Sequence, residues 1–400
     1  MPAKVHAKEA AVKIAVLRES RPFERRVALV PESCQKLIKA GFTVGVEPGA
    51  GARAGYSDDA YRESGATVES SAEDLVRSAE FLLTVNPPDD NADNARNVIT
   101  WINDGAYVLG SLMPLRNLRN MEALAHRGAN AFSTDAIPRT TRAQSMDTLS
   151  SMNSIGGYKG VLLAAAELGK YFPMLSSAAG TVFPAKVFVI GAAVAGLQAL
   201  ATAKRLGASV TATDVRPEVK EQIESVGGKY VGIELNEDAS AGGGYAKELS
   251  AEDQSRQREM LVDQVAQSDV VITTALIGGV FAPTLVTAEM VASMRPGSVL
   301  VDLAADGGGN CELSSPGETI EAHGVRILAP LNLASTMPDH ASLLFSRNLS
   351  NFLDAFSEEG EFQLDLDDDI QAGCLITRGG EIVHGRTLEA VAEHQEGSNP

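Results

Sequence analysis

Short apolar segments alternate with longer segments of mixed polarity along most of the chain. Toward the N-terminus, residues 13–17, 42–47 and 81–85 are apolar runs of the length expected for buried strands. Residues 31–41 begin with proline and end at glycine, which is typical of a helix. Strands that alternate with helices in this way predict an α/β fold, with a parallel sheet covered by helices on both faces.

The same alternation continues and divides the chain into two regions. A long helical pattern over 145–168 separates the first series of strands from a second, and another over 341–356 follows the last strand. We therefore predict two Rossmann-like domains with parallel sheets, joined by long linking helices. The expected domains are a discontinuous N-terminal α/β domain, residues 1–150 plus 340–400, and a Rossmann domain, residues 151–339. The further predicted strands are 107–112, 131–134, 187–190, 209–213, 270–274, 298–303 and 325–328.

Composition narrows the functional classes. The 400 residues include 34 lysines and arginines against 52 aspartates and glutamates, a formal net charge of −18 at pH 7. Such a chain lacks the basic surface that displaces counterions from nucleic acid, so we expect no nucleic-acid partner. An excess of acidic residues also suits a salty cytoplasm, and we keep that adaptation as a hypothesis.

The sequence predicts neither a membrane span nor cysteine chemistry. Residues 187–203 and 270–288 lack charge, but they contain glycine, glutamine, threonine or proline and fit a strand, a turn and a helix start better. Cys34, Cys311 and Cys374 form neither a zinc-binding spacing nor a disulfide framework, so we predict no metal site and a reducing compartment. The N-terminal segment holds charged residues and no apolar core, unlike a signal peptide.

The strongest motif follows the first strand of the second series. Gly191 and Gly196 have the spacing of a dinucleotide-binding fingerprint, in which a glycine turn leads into a helix whose N-terminus faces pyrophosphate. Ala193 replaces the usual middle glycine and weakens the match. Asp214, after the next strand, is placed to accept a hydrogen bond from a ribose 2′-hydroxyl, which favours NAD(H) over NADP(H). Arg216 could instead hold a 2′-phosphate, and a tight turn without ligand is the plainer alternative.

A second candidate site is the polar segment 139–152. It carries arginine, threonine, glutamine, aspartate and serine side chains, more polar groups than a buried helix or strand accommodates. These residues suit a loop that presents hydrogen-bonding groups to a ligand. A charged connector with a helix cap at Ser145 or Ser150 explains the same composition equally well.

Several motifs resemble those of one family. Segments 18–31, 142–151 and 199–214 closely resemble the NAD(H)-binding component of the proton-translocating nicotinamide nucleotide transhydrogenases, and the resemblance covers nearly the whole chain. Segment 142–151 is the most specific of them. Ala193 departs from the family's glycine, and Asp306 stands where the family more often has glutamate. Further matching motifs lie at 242–248, 273–277 and 308–311.

The resemblance implies a role for each region of the candidate site. Around the nicotinamide and its ribose, the implied catalytic residues are Arg139, Gln144, Asp147 and Ser150, which also bind the cofactor together with Thr140 and Thr141. The rest of the cofactor is implied to contact Gly191, Val194, Gly196, Asp214, Val215, Arg216, Gly244, Gln257 and Leu276. Tyr245 stands where the family has the tyrosine of a loop that closes over the nucleotide, and we count it with the catalytic residues.

For function, the resemblance implies direct hydride transfer between NADH on this chain and NADP⁺ on a partner subunit, in the Si-specific, proton-translocating type of transhydrogenase. A separate membrane subunit would couple this transfer to proton translocation, so the enzyme would be active only with its partner subunits. The resemblance also implies a homodimer, cytoplasmic and peripheral to the inner face of the plasma membrane.

Two other functions fit some features of the sequence. Alanine dehydrogenases have a similar pattern and share Arg26, but Asn86 replaces their lysine and residues 109–112 lack their histidine, and both losses remove substrate chemistry. A non-catalytic NAD-binding regulatory subunit is the second alternative, because Ala193 weakens the fingerprint.

Overall fold

The chain forms two compact units. The computed structural model describes residues 12–88, 96–233, 250–276 and 282–397. Unit 1 comprises Met1–Met152 and Ser335–Pro400, and unit 2 comprises Asn153–Ala334.

Strands and helices alternate in both units. In chain order the strands are β1 Lys13–Val16, β2 Thr43–Val46, β3 Thr67–Val68, β4 Phe81–Thr84, β5 Tyr107–Gly110, β6 Asn130–Ser133, β7 Leu175–Ser177, β8 Gly180–Val182, β9 Lys186–Ile190, β10 Ser209–Thr213, β11 Lys229–Tyr230, β12 Val270–Thr273, β13 Val299–Asp302, β14 Thr319–Ala322, β15 Val325–Leu328, β16 Ser357–Glu358, β17 Glu361–Phe362, β18 Leu375–Arg378 and β19 Glu381–Ile382. The helices are α1 Pro31–Lys39, α2 Asp58–Glu63, α3 Ala72–Arg77, α4 Val98–Trp101, α5 Leu118–His126, α6 Thr148–Glu167, α7 Val194–Arg205, α8 Val219–Ser225, α9 Ala251–Gln267, α10 Ala288–Ser293, α11 Pro338–Ala355, α12 Asp369–Cys374 and α13 Gly385–Gly397.

Local sequence accounts for several of these boundaries. Pro31 begins α1, at a position where its missing N–H group is not needed. Ser57 and Ser71 accept hydrogen bonds from backbone N–H groups at the starts of α2 and α3. All residues of β4 are buried, which explains why Phe81, Leu82 and Leu83 form a continuous apolar run instead of alternating with polar residues.

Both units contain the same sheet topology. In unit 1 the strand order is β19-β18-β6-β5-β4-β1-β2-β3, with β18 and β19 antiparallel at one edge. In unit 2 the order is β11-β10-β9-β12-β13-β15-β14, with β14 antiparallel. The parallel strands of each unit follow the 3-2-1-4-5-6 order of a Rossmann fold, so the predicted pair of Rossmann-like domains is confirmed. Ligands of such sheets bind at the carboxyl edge, where the strand order reverses, here beside β1 and β9.

Each sheet has a hydrophobic core on both faces. Ile14 of β1 packs in one cluster of unit 1, and the next residue, Ala15, packs in the other. In unit 2, Val187 and Phe188 of β9 divide between two clusters in the same way. Because a shift by one residue would exchange the faces, this burial fixes the register of the strands and aligns their carboxyl ends.

Two long helices were predicted, and both are present. Helix α6 continues from unit 1 into unit 2, whereas α11 lies in unit 1. The hairpin of β7 and β8 was not predicted, because every residue of these short strands is exposed and leaves no apolar alternation. Across the described ranges, no helix combines the length and the apolar character needed to cross a bilayer.

Candidate functional site

The glycine turn of unit 2 lies at the carboxyl end of β9. Gly191 has a φ of +87°, a left-handed conformation that favours glycine. A Cβ atom on Gly191 would lie 2.9 Å from Oγ1 of Thr274, and one on Gly196 would lie 1.9 Å from the carbonyl oxygen of Gly191. Both positions therefore require glycine, and the close approach brings the start of α7 next to the end of β9.

Ala193 occupies the N-cap position of α7. Its φ of −74° and ψ of −163° are extended backbone that any residue adopts, so the missing middle glycine causes no strain. Its side chain is exposed and makes no capping hydrogen bond. The first N–H groups of α7, beginning at Val194, are thus not satisfied by this residue and suit an anion.

Asp214 joins the end of β10 to the glycine turn. Its carboxylate accepts hydrogen bonds from the backbone N–H of Ala192 at 2.8 Å and of Arg216 at 3.0 Å, and from Nε and Nη2 of Arg216 at 2.9 Å each. The side-chain hydrogen bonds and the charge of Asp214 raise the pKa of Arg216 above its already high ordinary value. A carboxylate has about four lone-pair sites, so a ribose hydroxyl can bind Asp214 only in place of one of these donors.

The loop after β12 completes this edge of unit 2. Thr274 donates a hydrogen bond from Oγ1 to the carbonyl oxygen of Gly191 at 2.8 Å, and Leu276 lies two residues later, half-buried. The predicted residues that share this edge are Gly191, Val194, Gly196, Asp214, Val215, Arg216 and Leu276. Gln257 lies half-buried in α9, and in the described chain no hydrogen bond joins it to them. Gly244 and Tyr245 lie outside the described residues.

The polar segment of unit 1 leads into α6. Asp147 accepts hydrogen bonds from the backbone N–H of Ser150 at 2.8 Å and from its Oγ at 2.6 Å, the pattern of a helix cap. The capping residue is therefore Asp147, whereas the connector alternative expected Ser145 or Ser150. Arg139, Thr141 and Gln144 are nevertheless exposed, so the segment also presents polar groups on its surface.

The backbone of this segment is held from two sides. Asn348 of α11 donates a hydrogen bond to the carbonyl oxygen of Ser145 and accepts one from Oγ of Ser151, both at 2.8 Å. Arg142 forms an ion pair of 2.6 Å with Asp368 and another with the adjacent Asp369, at the start of α12. Sequence reasoning missed these supports because the partners lie about two hundred residues further along the chain.

Thr140 stands out among the polar residues of the segment. Its Oγ1 is enclosed, and none of the described residues supplies it with a hydrogen-bond partner. Leaving such a group unpaired is costly in free energy. Thr140 therefore marks a position where a polar group of a ligand would fit.

Unit 1 also has a polar cluster near the carboxyl ends of β1 and β4. Arg26 donates to Glu24 from Nε at 2.8 Å and from Nη2 at 2.7 Å, and Asn86 donates to both Glu24 and Glu19. Burial opposes ionisation of Glu24, but the hydrogen bonds and the charge of Arg26 outweigh it and lower the pKa of Glu24 to about 2. Burial raises the pKa of Glu19. Since Glu24 neutralises Arg26, the cluster presents no unpaired cation to a substrate carboxylate.

Cysteine and metal chemistry is not suggested by the geometry. Cys34, Cys311 and Cys374 are buried and free. Burial raises the pKa of Cys34 to about 12, so its thiol stays protonated at neutral pH. Within the described ranges, no group of three or more histidine, cysteine, aspartate and glutamate side chains is arranged to hold a metal ion.

Comparison with known proteins relates both units to one family. The description "Alanine dehydrogenase/PNT, N-terminal domain" matches residues 15–156, and "Alanine dehydrogenase/PNT, C-terminal domain" matches residues 160–385. The interval between the two matches falls inside α6, which carries the chain from unit 1 into unit 2.

Sequence identity separates the two branches of this family. The chain is 45% identical to the first of the chains that make up NAD(P) transhydrogenase subunit alpha in Rhodospirillum rubrum, over 93% of this chain and 98% of that relative. The chain belongs to the NAD(P) transhydrogenase alpha-subunit family. A solved transhydrogenase from Sinorhizobium meliloti agrees, with a TM-score of 0.83 and 42% identity over 93% of this chain and 100% of that chain.

Alanine dehydrogenases are more distant than the members of the transhydrogenase alpha-subunit family. A solved L-alanine dehydrogenase has a TM-score of 0.78 at 25% identity, over 96% of this chain and 99% of that chain. The two branches share the fold, so the fold does not distinguish their activities. Membership of the transhydrogenase alpha-subunit family makes the chain a component of an oxidoreductase.

Proposed function

We propose that the chain binds NAD(H) and exchanges hydride with NADP(H) on a partner subunit, in the Si-specific, proton-translocating type of transhydrogenase. A separate membrane subunit couples this exchange to proton translocation. The observation that carries the proposal is the Asp214 carboxylate, which is bonded to the glycine turn of a Rossmann unit at the place of ribose recognition.

Asp214 favours NAD(H) over NADP(H) on this chain. A carboxylate accepts a hydrogen bond from a ribose 2′-hydroxyl but repels a 2′-phosphate. Nε and Nη2 of Arg216, which could have held that phosphate, are bonded to Asp214, and a ribose hydroxyl would take the place of one of the donors to this carboxylate. The glycine turn fits a pyrophosphate, because Gly191 and Gly196 leave room where a Cβ would collide. We therefore assign NAD(H) to this chain and NADP(H) to the partner subunit.

Hydride transfer between two nicotinamide rings requires that the rings be oriented, and it does not require a proton transfer. NAD(H), when bound, supplies or accepts the hydride. Because no alkoxide or amine forms between two nicotinamide rings, this chain need not provide a general acid or base. It must hold the reacting ring in place and exclude water. We assign this orientation to Arg139, Thr140, Thr141, Gln144, Asp147 and Ser150 of the supported polar segment, and closure over the nucleotide to Tyr245.

The adenosine and pyrophosphate portions of the cofactor are assigned to unit 2. The N–H groups at the start of α7 suit the pyrophosphate, and Asp214 suits the adenosine ribose. The remaining contacts that the family resemblance implies are Val194, Val215, Gly244, Gln257 and Leu276.

The proposal is tested by mixing the chain with the NADP(H)-binding subunit of a transhydrogenase. Reduction of an NAD⁺ analogue by NADPH is expected to exceed the rate of either component alone. Gln144→Ala and Asp147→Ala should lower this rate more than they lower NADH affinity, whereas Lys39→Ala, an exposed change remote in sequence, should leave it unchanged. If both nucleotides bind and no hydride is transferred, the catalytic assignment is wrong and a regulatory NAD-binding subunit is favoured.

The cluster around Arg26 argues against the alanine dehydrogenase alternative. An amino-acid dehydrogenase needs a cation for the substrate carboxylate and a group that accepts a proton. Here Glu24 neutralises Arg26, and Asn86 is bonded to Glu24 and Glu19. NAD⁺-dependent oxidation of L-alanine by the chain would restore this alternative.

The hairpin of β7 and β8 supports a homodimer. Residues 171–185 contain no charged side chain in a chain of net charge −18. Met174 and Phe183 are 61% and 75% exposed, a liability unless a second copy covers them. We assign the hairpin to that contact, and sedimentation of Phe183→Ser should report a monomer.

The dimer would be cytoplasmic and peripheral to the inner face of the plasma membrane, held there by its partner subunits.

A further inference from the structure

Asn310 lies in the loop after β13, within the motif 308–311 that the proposed function leaves without a role. Its side chain is fully buried. Oδ1 accepts a hydrogen bond from the backbone N–H of Ala275, and Nδ2 donates to the carbonyl oxygen of the same residue, both at 2.9 Å. Nδ2 donates a second hydrogen bond to the carbonyl oxygen of Pro283 at 2.8 Å. One amide thus fixes both backbone groups of Ala275.

Ala275 lies in the loop after β12. The residue before it, Thr274, donates a hydrogen bond to Gly191 in the glycine turn, and the residue after it is Leu276. A Cβ on Gly191 would lie 3.2 Å from the backbone nitrogen of Ala275. By fixing Ala275, Asn310 therefore sets the position of Leu276 and supports the glycine turn.

Asp302 fixes Asn310 in turn. Its buried carboxylate accepts hydrogen bonds from Oγ1 of Thr273 at 2.9 Å and from the backbone N–H of Cys311 at 3.0 Å. It also accepts from the backbone N–H of Ala304 at 3.1 Å and from Oγ of Ser314 at 2.7 Å. These four donors compensate the cost of burying the charge. Asp302 thus ties the loop that carries Asn310 to the end of β12.

We propose that Asn310 is a positioning residue for the adenosine and pyrophosphate half of the NAD(H) site. At neutral pH an amide side chain can donate to a carbonyl and accept from an N–H of the same residue without carrying a charge. This inference rests on the proposed function, because it concerns binding of the same cofactor. Asn310 should therefore affect the affinity for the cofactor in the ground state. The rate of hydride transfer should depend on the polar segment of unit 1.

The test compares Asn310→Ala with the wild type in binding ADP-ribose and NADH, measured by calorimetry. Both ligands should bind about tenfold more weakly or worse, by similar factors, since the loss concerns the half they share. At saturating NADH the rate with the NADP(H)-binding subunit should be unchanged. The matched control is Asn117→Ala in unit 1, which also removes an amide that donates to two backbone carbonyls, those of Leu112 and Met113.

Asn310→Asp separates positioning from a general loss of structure. The carboxylate keeps the acceptor for the N–H of Ala275 but turns a negative charge toward the carbonyl oxygens of Ala275 and Pro283. Binding of ADP-ribose should therefore be weak at about pH 8 and recover relative to wild type as the pH falls to about 5, because a protonated carboxyl donates again.

Two results would overturn the inference. One is wild-type affinity for ADP-ribose in Asn310→Ala, and the other is an affinity in Asn310→Asp that does not respond to pH relative to wild type. A wild-type chain that binds neither ADP-ribose nor NADH would contradict the proposed function itself, so the two failures are distinguishable.

Discussion

Glu24, which forms a buried ion pair with Arg26, makes the stability of unit 1 depend on pH. Its pKa of about 2 lies below the ordinary value of 4.5, so folding favours the ionised form. The stabilisation is therefore complete above the ordinary pKa and is lost as the pH falls through about 2. Glu19 acts in the opposite sense, because burial raises its pKa.

We predict that Glu24→Gln lowers the free energy of unfolding at pH 7 by about 3 kcal/mol, because the guanidinium of Arg26 loses its buried partner. The variant should also lose less stability than wild type between about pH 5 and pH 2. Chemical denaturation across that range measures both effects. Glu32→Gln is the control, since it breaks an exposed ion pair with Arg347 and should change little. An acid dependence as steep as that of wild type would contradict the prediction.

Which site residues could be predicted depends on how far apart in sequence their partners lie. Gly191, Gly196 and Asp214 follow from local spacing, because the fingerprint is a strand, a turn and a helix in succession. Asn348 and Asn310 act through backbone groups 203 and 35 residues away. Periodicity and spacing carry no information about such contacts. The residues that support the site, such as Asn348 and Asn310, could therefore be identified only from the folded structure.

Helix α6 contains two adjacent glycines whose roles the sequence pattern did not explain. Glycine is a poor helix former, but α6 continues through both Gly156 and Gly157. A Cβ on Gly157 would lie 2.1 Å from the carbonyl oxygen of Ala195, in the first turn of α7, whereas one on Gly156 would meet nothing within 4 Å. Gly157 is therefore where the backbone of α6 approaches the helix whose N-terminus we assign to pyrophosphate.

These neighbouring glycines give a matched pair of variants. Gly156→Ala should raise the free energy of unfolding by up to about 1 kcal/mol, because alanine favours the helix and meets no neighbour. Gly157→Ala should lower it and should weaken ADP-ribose binding, because α7 must move away from α6. Denaturation and calorimetry on both variants check this. Equal changes in unfolding free energy and in ADP-ribose binding for the two variants would show that helix propensity alone determines the effect of each substitution.

The predicted strands and long helices followed from buried apolar runs, whereas the strand order did not. In β4 and β9 apolar residues mark the strand directly, because the sheet is covered on both faces. The hairpin of β7 and β8 has no such mark, since its side chains are exposed. The 3-2-1-4-5-6 order that both units share depends on pairing between distant strands, which the alternation of elements does not specify.

For the whole molecule, the net charge of −18 sets a condition on stability. Like charges repel more strongly in the compact folded state than in the expanded unfolded state. Salt screens this repulsion over a distance of about 10 Å at 0.1 M and about 3 Å at 1 M. Exposed ion pairs such as Glu32 with Arg347 are screened too, but each contributes little. Screening of the net repulsion should therefore dominate.

We expect the midpoint of urea denaturation at pH 7 to rise between dilute buffer and about 1 M KCl. The same titration near the sequence isoelectric point of 4.8 is the control, because the net charge is then close to zero and little repulsion is left to screen. A smaller rise at the lower pH would identify electrostatic screening as the cause. If KCl raises both midpoints equally, salt acts by strengthening the burial of apolar surface. The hypothesis that the acidic composition is an adaptation to salt would then be contradicted.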